Sequence, residues 1–147
     1  MAYLQTIRCA ILHALRTEIV SAPVLTNMRA TVDYLRLLIA QELAEQFRVL
    51  FLDTRGRLLR EEMISRGSVH EAPVYPREIM RRALELGSTT LILVHNHPSG
   101  DPTPSQQDFH ITQRLMNAGK ELGVVVHDHI IVTRSGWASL RALGAFQ

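Results

Sequence analysis

His95 and His97, followed downstream by Asp108, are the residues whose types and spacing could do chemistry in this chain. Residues two apart on a strand leave the same face about 6.5 Å apart, so both imidazoles can converge on one ion at a strand's C-terminal end. Asn96 must then point the other way. Asp108 falls in the first turns of the helix expected next, where the intervening loop can fold it back over the strand end as an oxygen ligand. Ser105, three residues earlier, shares its face. Two imidazoles, one carboxylate and a water form the open tetrahedral set of a catalytic zinc, with no soft ligand to select copper(I) or an iron–sulfur cluster. Cys9 is the only cysteine, so a disulfide within the chain and a multi-cysteine zinc site are both excluded. A His-x-His pair alone is as readily two polar residues near a surface. The loop that follows favours the metal: Pro98, Gly100, Pro102, Pro104, Ser105 and Asp108 specify a rigid connection that a merely polar strand end does not require.

The elements that must position these groups can be read from periodicity. Leu4, Ile7, Ile11 and Leu15 mark an amphipathic helix over Tyr3 to Arg16, broken at Ser21-Ala22-Pro23. Asn27 is the expected N-cap of a second helix running to about Glu42, with Val32, Leu35, Leu38 and Ile39 inward. Phe47 to Leu52 is a dense apolar run suited to a buried strand, Asp53-Thr54-Arg55-Gly56 a turn, and Arg57 to Ser65 the hairpin's return. Pro76 opens a helix through Leu86 that Gly87 caps. Leu91 to Val94 is a central strand ending in His95-Asn96-His97. Thr103 is the expected N-cap of the next helix, with Pro104 first inside and Gln106 completing a capping-box-like pattern. That helix runs to about Lys120 or Leu122, where Gly123 stops it. Val124 to Val126 and Ile130 to Val132 form one long or two short strands, and Trp137 to Leu140 a last edge piece. This order implies an α/β chain, an α+β mixed sheet flanked by helices.

The chain of 147 residues is about one domain long, 46% apolar and 20% charged, with no repeat and no low-complexity tract. No apolar run approaches the roughly 18 to 20 residues that span a bilayer, so the expectation is a cytoplasmic protein without a membrane partner. Net charge is a mild +2, although fifteen of the sixteen basic residues are arginine. Arg55, Arg57, Arg60, Arg66, Arg77, Arg81 and Arg82 form either a basic face or an ordinary solvated surface.

The run from His95 to Asp108 resembles the JAMM motif, His-x-His-Pro with a downstream Ser-x-x-Asp. More closely it resembles the RadC family of bacterial JAB-domain proteins. The likeness extends over Glu45-Gln46-Phe47 to Asp53, Ala72-Pro73-Val74-Tyr75-Pro76-Arg77-Glu78, the motif loop, and Asp128-His129-Ile130-Ile131-Val132. It implies a JAB/MPN, cytidine-deaminase-like architecture over residues 45–147, with residues 1–44 a helical segment packed on it. It also implies one Zn2+ per chain held by His95, His97 and Asp108, with Ser105 stabilising an oxyanion and a glutamate activating water. Glu45, in phase with Phe47, Val49 and Phe51, matches the family's position for that glutamate; Glu61, Glu62, Glu71 and Glu78 are the alternatives, and Glu42 is read as a helix end. Ser105 has a plainer role open to it as a helix-start hydrogen-bond partner.

The activity implied is metal-assisted amide hydrolysis, with a peptide or protein as substrate. The rivals are a DNA repair or recombination factor, as metal-dependent nuclease or accessory protein, and a non-catalytic MPN scaffold. Full-length relatives resemble this chain preceded by a helix-hairpin-helix module. No such module or Gly-rich hairpin is found here, which argues against a nucleic-acid partner. A homodimer is left open. The deaminase pattern of His-x-Glu with Pro-Cys-x-x-Cys and the zincin pattern His-Glu-x-x-His are both absent. Asp128 or His129 could orient a ligand or substrate from behind, or form a satisfied polar pair at a sheet edge. Asp101 is expected to shape the turn around Gly100, and His13, His70 and His110 to lie at the surface or its boundary.

Overall fold

The computed structural model describes residues 1–67 and 73–146. A five-stranded mixed sheet runs through its centre in the order β2-β1-β3-β4-β5. Its strands are β1 (Gln46–Leu52), β2 (Leu58–Arg66), β3 (Thr90–Asn96), β4 (Val125–Val132) and β5 (Trp137–Ser139). β3 and β4 are parallel, and the other neighbouring pairs are antiparallel. Helices α1 (Ala2–Ser21) and α2 (Met28–Ile39) cover one face, and α3 (Pro76–Leu86) and α4 (Gln106–Lys120) the other. The α/β reading of the sequence holds. Among the described residues no helix is long and apolar enough to cross a membrane.

Because both faces are covered, the central strands are apolar throughout and still sort by parity. Leu50, Leu52, Ile92 and Val94 pack under α1 and α2. Phe47, Val49, Phe51, Leu91 and Leu93 pack under α3 and α4. β1 opposes β3 so that Phe47 lies beside His95, which continues the Leu91, Leu93 parity onto the α4 face. Gly119 lets α4 approach β4 closely: a Cβ there would stand 2.0 Å from the Val124 carbonyl oxygen.

Three local expectations are corrected. Leu4, Ile7 and Ile11 are largely exposed, and α1 instead packs through Leu12, Leu15 and Ile19. Arg8 explains the rotation, because its guanidinium donates to the Leu37 and Leu38 carbonyls at the α2 C-terminus, where a cation also meets the negative end of the helix dipole. Thr103 does not cap α4; Ser105 does, with Asp108 as its capping-box partner. The Thr103 amide is taken up by the Asp101 carboxylate in the loop, and the reciprocal bonds between Ser105 and Asp108 start the helix two residues later. α2 ends at Ile39 rather than near Glu42. Asn27 stands at its N-cap position, but its amide donates to Glu18 rather than capping the helix.

Candidate metal centre

The C-terminal end of β3 and the N-terminus of α4 meet where parallel strands of an open sheet leave a crevice. His95 and Asp108 are buried there, and His97 is partly so. His95 Nε2 lies 2.8 Å from His97 Nε2 and 3.0 Å from Asp108 Oδ1; His97 Nε2 lies 3.3 Å from Asp108 Oδ2. The protons of this cluster follow from its partners. His97 Nδ1 is 2.9 Å from the Asp101 carbonyl oxygen, which only accepts, so the ring proton sits on Nδ1 and Nε2 is bare. Thr112 Oγ1 gives its single proton to the Asp108 carbonyl at 2.6 Å. At 2.6 Å from that same oxygen, His129 Nδ1 must therefore be the donor. His129 Nε2 is then left to accept from His95 Nδ1 at 2.7 Å, and a neutral His95 also ends with a bare Nε2.

With both rings neutral, two imidazole lone pairs and a carboxylate thus face one another, an arrangement that could hold a cation. Their separations fall within about half an ångström of the roughly 3.3 Å edge of a tetrahedron with metal–ligand distances near 2.0 to 2.1 Å. His95, His97 and Asp108 therefore fit a divalent metal in both donor type and spacing.

Without a metal a proton must serve. Burial works to depress His97, but hydrogen bonds to Asp108 and to the Asp101 carbonyl, with the Asp108 and Glu45 charges, raise it above the ordinary histidine value. Burial likewise opposes ionisation of Asp108, yet bonds from His95, His97 and the Ser105 amide hold it far below the usual carboxylate range. The positive end of the α4 dipole acts in the same direction. His129 is wholly enclosed, and that burial, with His95 beside it, drives it well below its ordinary value and keeps it neutral.

Glu45 sits immediately before β1 and, with His95 and Asp108, lines a cleft of about 170 Å³. Asn96, turned to the opposite face as expected, fixes the backbone on either side of Glu45. Its Oδ1 accepts from the Gln46 amide at 2.7 Å, and its Nδ2 donates to the carbonyls of Glu42 and Ala44. The alternative glutamates are engaged elsewhere: Glu61 with Arg48 and Arg16, Glu62 with Arg82, and Glu78 with Arg77 and Arg81. Glu71, His70 and Ala72 lie outside the described residues. Ser105 accepts from the Asp108 amide at 3.2 Å while its own amide donates to Asp108 Oδ2 at 2.7 Å, which leaves its hydroxyl proton free to be given elsewhere.

Of the two residues expected behind the ligands, only His129 touches them. Asp128 takes its bonds from the His129 amide, Ser139 and the Arg141 amide, and so ties down β5 and the turn after it. Asp101 shapes the loop through the Thr103 amide, and it is its carbonyl that reaches His97. His13 and His110 are both exposed, as expected, and His110 also lines the cleft. Thr112, Asn96 and the Asp101 carbonyl are the contributors that sequence reasoning missed. Thr112 had one available signal: it lies four residues after Asp108 on the same helical face.

Helices on both faces of a mixed sheet, with a His-His-Asp cluster where β3 meets α4, are consistent with the JAB class of domain. The RadC-like JAB domain family matches residues 25–145, and the chain belongs to that family. The match takes in α2 as well as the sheet and leaves α1 outside.

Proposed function

We propose that this protein is a zinc-dependent hydrolase of amide bonds, a peptidase or isopeptidase of the JAMM type. The observation that carries the reading is the convergence of three ligand atoms, on His95, His97 and Asp108, beside a cleft that Glu45 lines. Bound zinc would supply Lewis acidity there, polarising an amide carbonyl and lowering the pKa of water to roughly 7.

The chain's own groups do the rest. Glu45, half-buried and held by the Asn96 bonds to its flanking backbone, is placed to take a proton from the attacking water and return it to the leaving nitrogen. Ser105 is free to donate its hydroxyl proton to the oxygen on which negative charge builds. Losing one such donor costs on the order of a hundredfold in rate. The apolar cleft walls Phe47, Val74 and Ile111 exclude water from around the reacting carbonyl. Of the arginines that could form a basic face, Arg66, Arg77, Arg81 and Arg82 each pair with a glutamate, while the side chains of Arg55, Arg57 and Arg60 have no partner among the described residues.

Zinc per chain, measured by elemental analysis on the parent and on His97→Ala and Asp108→Ala, tests the reading. Close to one zinc in the parent and clear loss in both variants is the expected result. A parent that takes up no zinc after reconstitution would overturn it.

A further inference from the structure

The cleft beside the metal ligands is chemically graded along its length. At one end are His95, Asp108 and Glu45, so every described acidic group lining it stands beside the ligands. Its middle is apolar, walled by Phe47 of β1, Val74 and Ile111 of α4. Further along α4 from Asp108, beyond His110 and Ile111, stands Arg114. Six residues of helix separate Asp108 from Arg114, a rise of about 9 Å, which two or three extended peptide residues span. Arg114 has no ion pair or hydrogen bond among the described residues; the side chains of Arg55, Arg57 and Arg60 have none there either, and what sets Arg114 apart is that it lines the cleft. An arginine that lines a substrate cleft without a carboxylate partner among the described residues can receive one from a substrate.

We infer that the substrate of this site is an acidic peptide: an apolar side chain next to the scissile amide fills the middle of the cleft, and a carboxylate two or three residues further on pairs with Arg114. The carboxylate is a glutamate or aspartate side chain, whose two oxygens match the fork of the guanidinium. This inference rests on the hydrolase reading above and names its substrate class.

Two peptide hydroxamates test it. Each carries a metal-binding hydroxamate followed by a leucine-type side chain, an alanine spacer and then either glutamate or the isosteric glutamine, and ends in a carboxy-terminal amide. Binding is measured by calorimetry on the zinc-loaded parent and on Arg114→Gln, an exposed helix position, after equal zinc content has been checked. The glutamate probe should bind the parent about three- to tenfold more tightly than the glutamine probe, the range between an exposed ion pair and a charge-assisted hydrogen bond. In Arg114→Gln the two should bind alike, with the glutamine probe unchanged. Equal binding to the parent, or a preference that survives in the variant, overturns the inference and leaves the hydrolase reading standing. Binding of neither probe overturns both. A ten-residue oligothymidylate that competes with the probes and loses affinity in Arg114→Gln would reassign the arginine to phosphate and also overturn the inference.

Discussion

At the scale of single residues, the site depends on where protons cannot go. Thr112 has one proton and gives it to a carbonyl, and every assignment from there to His95 Nε2 follows. Thr112→Val should therefore weaken zinc binding about ten- to a hundredfold, the usual cost of removing a partner behind a ligating histidine. Thr112→Ser should keep parental affinity, both read by competition with a chromophoric chelator. Equal loss in the two variants would reduce Thr112 to a packing residue. His129 makes a second prediction. Its folded-state pKa is depressed, so the stability it contributes is present above the unfolded value near 6.5 and is lost as pH falls below that value towards the folded one. Metal-free parent should accordingly lose more stability in urea between pH 7.5 and pH 5.5 than metal-free His129→Gln does. The raised His97 pKa acts in the opposite direction but is common to both proteins, so the difference reports His129. A larger loss in the variant would mean that His129 takes up a proton in the folded chain. The ligands themselves were legible because chemistry restricts them to a few residue types at fixed spacing. Thr112 was not, because a threonine on a helix announces nothing until the strand behind it is in place.

At the scale of elements, that strand is placed by a bulge. Leu91 pairs with Val126 and Ile92 with Asp128, so His127 is extra and the alternation of β4 reverses across it. Val124 and Val126 pack under α3 and α4, and so would an even-numbered residue beyond them; after the bulge Ile130 and Val132 face α1 and α2, and His129 turns to the site. The apolar runs Val124 to Val126 and Ile130 to Val132 carry no alternation, and the polar His127-Asp128-His129 between them does not mark such a shift, which is why the sequence left one or two strands open there. Helix α3 could be read to the residue, since Pro76 and Gly87 are backbone constraints rather than averages over a window. The inner face of α1 could not, because the choice between two apolar stripes was made by the α2 carbonyls that Arg8 reaches. Asn96 is the matching case on β3, a fully buried amide whose three bonds hold the approach to β1. Asn96→Ala leaves the buried Gln46 amide without its partner and should cost about 1 to 3 kcal/mol in urea unfolding. Zinc per chain should stay near the parental value, since Asn96 touches none of the ligands. Loss of zinc with unchanged stability would reverse those roles.

At the scale of the whole molecule, the sheet separates two tasks. The α1 and α2 face is closed by aliphatic packing, while the α3 and α4 face opens into a cleft where Phe47, His95 and Asp108 line it. The metal ligands come from β3 and from the start of α4, the two elements whose junction would otherwise hold a carboxylate and two imidazole lone pairs at 2.8 to 3.3 Å. An ion bound there joins the sheet to the helix layer only in the folded chain, so its binding free energy adds to folding stability. With free zinc at about a hundred times its dissociation constant, mass action gives roughly 2.7 kcal/mol. For a chain of this size each kcal/mol moves the melting temperature by roughly 2 to 4 °C, so zinc should raise Tm by about 5 to 10 °C, measured by calorimetry. His97→Ala removes one ligand at the partly exposed side of the site without touching the α4 capping box, so it should melt close to the metal-free parent and lose the zinc response. A response of equal size in parent and His97→Ala would place the stabilising ion elsewhere on the molecule, and the β3–α4 junction would then be held by the proton that His97 shares with Asp108.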